Sequence, residues 1–142
     1  MAARGNAEWK GDLKGGSGTF QAGDSGIAGE FSFHTRFEDG PGANPEQLIG
    51  AALASCFSMA ISNALSQQGN VPESVRTEAV VSIGKIDDVT SITKIDLKTV
   101  GKVPGIDQAT FEKFAEDTKT GCIVSRALAG VPEFTVEATL EG

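Results

Sequence analysis

The sequence predicts an α+β fold, with antiparallel sheet wrapped around a long buried helix, and three observations carry that prediction. The stretch Asn44–Gln68 (NPEQLIGAALASCFSMAISNALSQQ) is apolar or small on nearly every side of a helix, the pattern of a core element. Two long strand-like runs, 74–86 and 91–103, flank a short Asp87-Asp88 turn and read as an antiparallel hairpin. The order of elements is strands, long helix, hairpin, short helices, strand, without βαβ alternation. One domain over 1–142 is the simplest organisation for a chain of this length.

Residues 1–40 are Gly-rich, with short strand-like runs at Ala7–Gly11 and Thr19–Gln21 around a Gly15-Gly16-Ser17-Gly18 turn. No helix and no G-K-[ST] follows these glycines, so a hairpin is expected rather than a phosphate cradle. Phe31–Phe37 alternates, with Phe31, Phe33, Thr35 and Phe37 on one face of an expected strand and Ser32, His34 and Arg36 on the other. His34, the only histidine, is expected to be an ordinary residue of that strand. The segment 44–68 then opens with a cap at Asn44, Pro45 in the first helical position and Glu46 in the first turn. Gly69-Asn70-Val71-Pro72 ends it. In the hairpin, 74–103, Val75, Thr77, Ala79, Val81 and Ile83 share one face. Asp107 caps a helix over 108–119, Cys122 opens a short run to Ala129, and 133–141 alternates as a half-buried strand.

Lys plus Arg number 12 and Asp plus Glu 19, a net charge of -7. That balance argues against nucleic acid or an anionic membrane as main partner. The central helix is long enough to span a bilayer, but Glu46, Gln47, Asn63, Gln67, Gln68 and several serines make it too polar. No apolar leader stands at the N-terminus, and the expected location is cytoplasmic. One sheet face cannot enclose a helix that is apolar all round, so a second copy of the chain is expected to cover the rest.

Chemistry concentrates at Cys56 and Cys122, the only cysteines. In a reducing compartment they are two inert buried thiols or a redox couple. Neither has the spacing of a zinc site. A thiol reacts as the thiolate, so Cys56 in mid-helix needs a cation or donor. Arg36, shortly before the loop that feeds the helix, is the best-placed candidate to hold a thiolate and a peroxide oxygen. Glu46 is the carboxylate able to hold that arginine; alone, it reads equally as a residue favoured at a helix N-terminus. Glu46 and Cys56 lie ten residues apart, about 15 Å along a straight helix. If both serve one site, Glu46 comes from the partner subunit. Cys122 is either a resolving thiol at a helix start or a small buried turn residue.

The segment NPEQLIGAALASCFSMAIS strongly resembles the OsmC family (osmotically inducible protein C, allied to the organic hydroperoxide resistance proteins). So do Trp9-Lys10-Gly11 with the following glycines, Thr35-Arg36-Phe37-Glu38, the block from Thr120 to Leu128, and the closing strand. The resemblance implies an intertwined homodimer, antiparallel sheets wrapped around long central helices. It implies a thiol-dependent peroxidase that reduces organic hydroperoxides well and hydrogen peroxide less well, in stress defence. By motif, Cys56 is then the peroxidatic cysteine, Cys122 the resolving one, Arg36 the stabiliser of thiolate and peroxide, and Glu46 the residue that orients the arginine. A Cys56–Cys122 disulfide and an external dithiol reductant complete the cycle, with no metal, haem or flavin. Phe37, Phe57 and Met59 are candidates for an apolar surround. Ile123 departs from the family, in which proline often follows the second cysteine. The alternative function is a non-catalytic stress or redox-sensing dimer that binds a small apolar ligand.

Overall fold

Local chemistry sets each element of the computed structural model, which describes residues 1–142. The chain divides into two compact units, Met1–Leu48 and Ile49–Gly142.

In the first unit, β1 (Asn6–Lys10), β2 (Ser17–Gln21) and β3 (Ala28–Phe31) form an antiparallel meander. Only part of the glycine cluster turns the chain: Ser17 and Gly18 already belong to β2. Gly18 sits opposite both Trp9 and Phe31, whose rings meet across it at 5.5 Å. A Cβ there would lie 2.6 Å from the Phe31 ring, so only glycine allows the contact.

The expected strand over Phe31–Phe37 ends after its first residue. Phe33–Phe37 is a short helix, α1. Ser32 caps it: the Thr35 amide donates to Ser32 Oγ at 3.2 Å and the Ser32 amide donates to Thr35 Oγ1 at 2.9 Å. Phe33 and Phe37 fit a strand face but also stand one helical turn apart, and their rings meet at 5.0 Å, tilted by 47°. His34 is therefore a helix residue, exposed beside Glu38 at 3.5 Å.

Helix α2 (Pro45–Gln67) starts as its sequence demands. The Gln47 amide donates to Asn44 Oδ1 at 2.8 Å, and the Asn44 amide donates to Gln47 Oε1 at 3.2 Å. By length and composition this helix could cross a membrane, but its stripe Leu53, Phe57, Ile61, Leu65 is fully buried in the core of the second unit. The opposite stripe, through Ala52, Ser55, Met59 and Asn63, is exposed in the single chain, Met59 by 76%. Burial is thus one-sided, where the sequence predicts a helix apolar all round.

In that second unit, β4 (Ser74–Ile86) and β5 (Val89–Lys102) form the expected antiparallel hairpin. Asp87 and Asp88 carry φ of 49° and 63°, a two-residue turn in the left-handed region that short polar side chains tolerate. Helix α3 (Gln108–Gly121) is capped by Asp107, whose side chain accepts from the Thr110 amide at 2.9 Å. Gly101 lets the Phe111 ring approach β5; a Cβ there would lie 2.5 Å from it. Helix α4 (Ile123–Ala127) follows, and β6 (Glu133–Leu140) closes the chain.

β6 runs parallel to β5, from Lys94↔Glu133 to Gly101↔Leu140, so this sheet is mixed where antiparallel pairing is expected. The crossover through α3 and α4 returns the chain to the end of the sheet at which β5 began. The α+β class itself holds. Ile95, Leu97, Val103, Phe111, Ala115 and Cys122 complete the core around α2. Ser58 Oγ donates to Thr77 Oγ1 at 2.8 Å, which shares a 3.0 Å hydrogen bond with buried Thr99, so three hydroxyls tie α2 to the sheet.

Candidate active site

Two pairs of side chains stand out, one in each unit. In the first unit, Arg36 occupies the last turn of α1 and Glu46 the first turn of α2. Arg36 Nε donates to Glu46 Oε1 and Oε2 at 3.1 and 3.3 Å, and Nη2 donates to Oε1 at 2.7 Å. Asn44 Nδ2 donates to the Thr35 carbonyl at 3.0 Å, so the cap of α2 also fixes the turn that carries the arginine. The Glu46 carboxylate is buried, while the Arg36 side chain is 41% exposed. One edge of the guanidinium is thus bound to carboxylate. Its Nη1 edge makes no hydrogen bond within the chain, and its Cζ lies 5.3 Å from the Phe37 ring centroid. A cleft of about 270 Å³ beside it is lined by Trp9, Leu13, Phe31, Ser32, Phe33, Arg36 and Phe37. Arg36 and Glu46 meet as the sequence predicts, although the arginine stands on a helix and not a strand. They meet within one chain, so whichever subunit supplies the carboxylate supplies the arginine with it.

The thiols meet in the second unit. Cys56 lies half-buried on the flank of the core stripe of α2. Cys122, 2% exposed, joins two helices. Its amide donates to Thr118 O at the end of α3, and its side chain caps α4. The Ser125 amide donates to Cys122 Sγ at 3.3 Å. The Ser125 hydroxyl donates to Cys122 O at 2.9 Å. The preceding amide, that of Val124, donates to Cys56 Sγ at 3.5 Å. Consecutive amides in the first turn of α4 therefore hold one sulfur each. Both cysteines are free thiols.

Val124 and Ser125 are the functional groups that sequence reasoning missed. They act through backbone N–H, which no residue letter announces; the one signal was the Gly121-Cys122 step opening a helix. Of the expected apolar surround, Phe57 is a fully buried core residue, whereas Phe37 and Met59 are exposed in the chain. No cluster of three or more His, Cys, Asp or Glu side chains is arranged for a metal ion. A thiol pair held on adjacent amides suits oxidation of one sulfur followed by attack of the other, and an arginine with one edge clamped and one free suits an anionic oxygen or sulfur.

The family model for OsmC-like proteins matches residues 38–137. The chain is 46% identical over 140 residues to the peroxiredoxin OsmC of Escherichia coli (strain K12), with 97% of this chain and 96% of that protein covered. It is 32% identical over 98 residues to an organic hydroperoxide resistance protein of Xanthomonas axonopodis pv. citri (strain 306), covering 68% of this chain and 67% of that one. Among solved structures, an OsmC-like protein from Vibrio cholerae superposes with a TM-score of 0.75 at 20% identity, with 97% and 99% of the two chains covered. An organic hydroperoxide resistance protein from Elizabethkingia anophelis, crystallised with thiocyanate bound, gives 0.74 at 19% identity, with 100% and 98% covered. At those identities the two structures speak to the fold.

Proposed function

The chain belongs to the OsmC-like protein family, and from that premise we propose a thiol-dependent peroxidase that reduces organic hydroperoxides, and hydrogen peroxide less well, through Cys56 and Cys122. The observation that carries the reading is the convergence of both sulfurs on adjacent amides of α4. The Cys56 thiolate attacks the distal oxygen of the hydroperoxide. The O–O bond breaks, the alkoxide takes a proton and leaves as alcohol, and Cys56 becomes the sulfenic acid. The Cys122 sulfur then attacks the Cys56 sulfur, water leaves, and a disulfide forms. An external dithiol restores both thiols by exchange and is itself oxidised. The chemistry draws on sulfur alone, with no bound cofactor.

The arginine site completes the reading. The free Nη1 edge of Arg36 stabilises the thiolate and the developing alkoxide, with Glu46 fixing its orientation. We assign the Arg36–Glu46 pair to the partner subunit's Cys56, since about 15 Å of straight helix separates Glu46 from the Cys56 of its own chain. A homodimer follows, packed through the exposed stripe of Ala52, Ser55 and Met59, with each subunit a single cytoplasmic domain. The aromatic cleft beside Arg36 receives the organic part of the substrate.

Turnover tests the reading. Purified protein with a dithiol consumes cumene hydroperoxide, and Cys56→Ser abolishes it; full activity in that variant sinks the mechanism. Sizing in solution gives a dimer, and an active monomer refutes the shared site.

A further inference from the structure

A cysteine is an unusual helix cap. Ser, Thr, Asp and Asn fill that position because a short oxygen acceptor reaches the amides of the first turn. Cys122 does so with sulfur, at 3.3 Å from the Ser125 amide, in the extended backbone (φ -72°, ψ 150°) of an N-cap. The turn it fixes is also the turn whose preceding amide, Val124 N–H, reaches Cys56 Sγ. The Ser125 hydroxyl closes the same turn from the other side on Cys122 O. Residues Cys122 to Ser125 thus close on one another and set one N–H, that of Val124, on the sulfur of α2.

Resting on the peroxidase reading, we propose that Cys122 is a positioning residue for the first chemical step as well as the thiol of the second, its sulfur cap holding the Val124 amide on Cys56. An N–H bonds an ionised acceptor more strongly than a neutral one. The Val124 N–H therefore binds the Cys56 sulfur most strongly in the anionic form that attacks the peroxide. Val124 is the catalytic group of the pair, since it touches the reacting atom, and Cys122 acts through it.

The test separates the two roles of Cys122. Cys122→Ser and Cys122→Ala both lack the resolving thiol, so neither forms the intramolecular disulfide. They differ in the cap. In full-length reduced protein, a single addition of cumene hydroperoxide oxidises Cys56, and the sulfenic acid is trapped by a dione reagent and counted by mass. Cys122→Ala forms it roughly threefold to tenfold more slowly than Cys122→Ser, the range of a capping or hydrogen-bond free energy of about 1 kcal/mol. Equal rates overturn the proposal. A second comparison avoids the core position. Val124→Pro deletes the N–H that meets Cys56, whereas Ile123→Pro removes an amide that meets neither sulfur and places proline where a helix start accepts it. Val124→Pro is the slower of the two; equality again overturns the proposal. If wild-type protein consumes no peroxide, the peroxidase reading has failed; if it does and the capping variants match, only this inference has.

Discussion

Arg36 shows how much one side chain's setting decides. Its Nε and Nη2 face a buried carboxylate in a fork that a lysine ammonium cannot reproduce. Arg36→Lys is therefore expected to lower kcat/KM for an organic hydroperoxide by roughly tenfold or more, the equivalent of about 1.4 kcal/mol, measured by peroxide consumption. Arg36→Ala additionally strands the Glu46 carboxylate and lowers stability. With the guanidinium 41% exposed, the loss is about 1–2 kcal/mol, below the 3–5 kcal/mol of a wholly buried pair; urea midpoints measure it. The pairing of these two residues was legible, because a clamped arginine needs a carboxylate and Glu46 stood near. The arginine's own backbone was not. Phe33 and Phe37 satisfy a period of two and a period of four equally, and the Ser32–Thr35 box that settles the matter relies on a threonine where glutamate is the usual signal.

Among elements, α3 offers a clean test of how its start is held. Hydrogen bonds from Thr110, its hydroxyl first and then its amide, keep the Asp107 carboxyl below its ordinary value of 3.8. The Thr135 hydroxyl, then Lys94, does the same for Asp96 on β5. A carboxyl whose folded value is depressed stabilises the fold above the ordinary value, and that contribution drains away as the pH falls through the lower folded value. Asp107→Asn keeps a capping acceptor but cannot titrate. Its urea midpoint is expected to fall less between pH 5 and pH 3 than the wild-type midpoint does, a window set around the 3.8 reference. An equal fall removes Asp107 from the acid response. The elements themselves were readable from caps and periodicity: Asn44 and Asp107 start the helices that their positions announce. The parallel pairing of β6 was not, since alternation says which face is buried and nothing about strand direction.

The whole molecule is where the exposed stripe of α2 and the distance along that helix meet. If Arg36 and Glu46 of one subunit serve the partner subunit's Cys56, two dead variants repair each other. Mixed under conditions that exchange subunits, Arg36→Ala and Cys56→Ser chains form heterodimers in which one site has an intact arginine and an intact thiol. Peroxidase activity above either parent is the expected outcome. None, with exchange verified by mass, returns the site to a single chain. The expectation of a partner rests on the composition of residues 44–68. Which stripe the chain itself leaves exposed was not legible there, because Leu, Ala and Met on opposite sides look alike until β5 and α3 claim one of them.

The hydroxyl chain of Ser58, Thr77 and Thr99 carries a quieter consequence. Hydroxyls neither ionise near neutrality nor climb the oxidation ladder that cysteine and methionine share. The buried polar link between helix and sheet is thus written in the one functional group that a peroxide ignores. On the proposed cycle, the Cys56 sulfur passes through thiol, sulfenic acid and disulfide while the helix that carries it keeps the same footing.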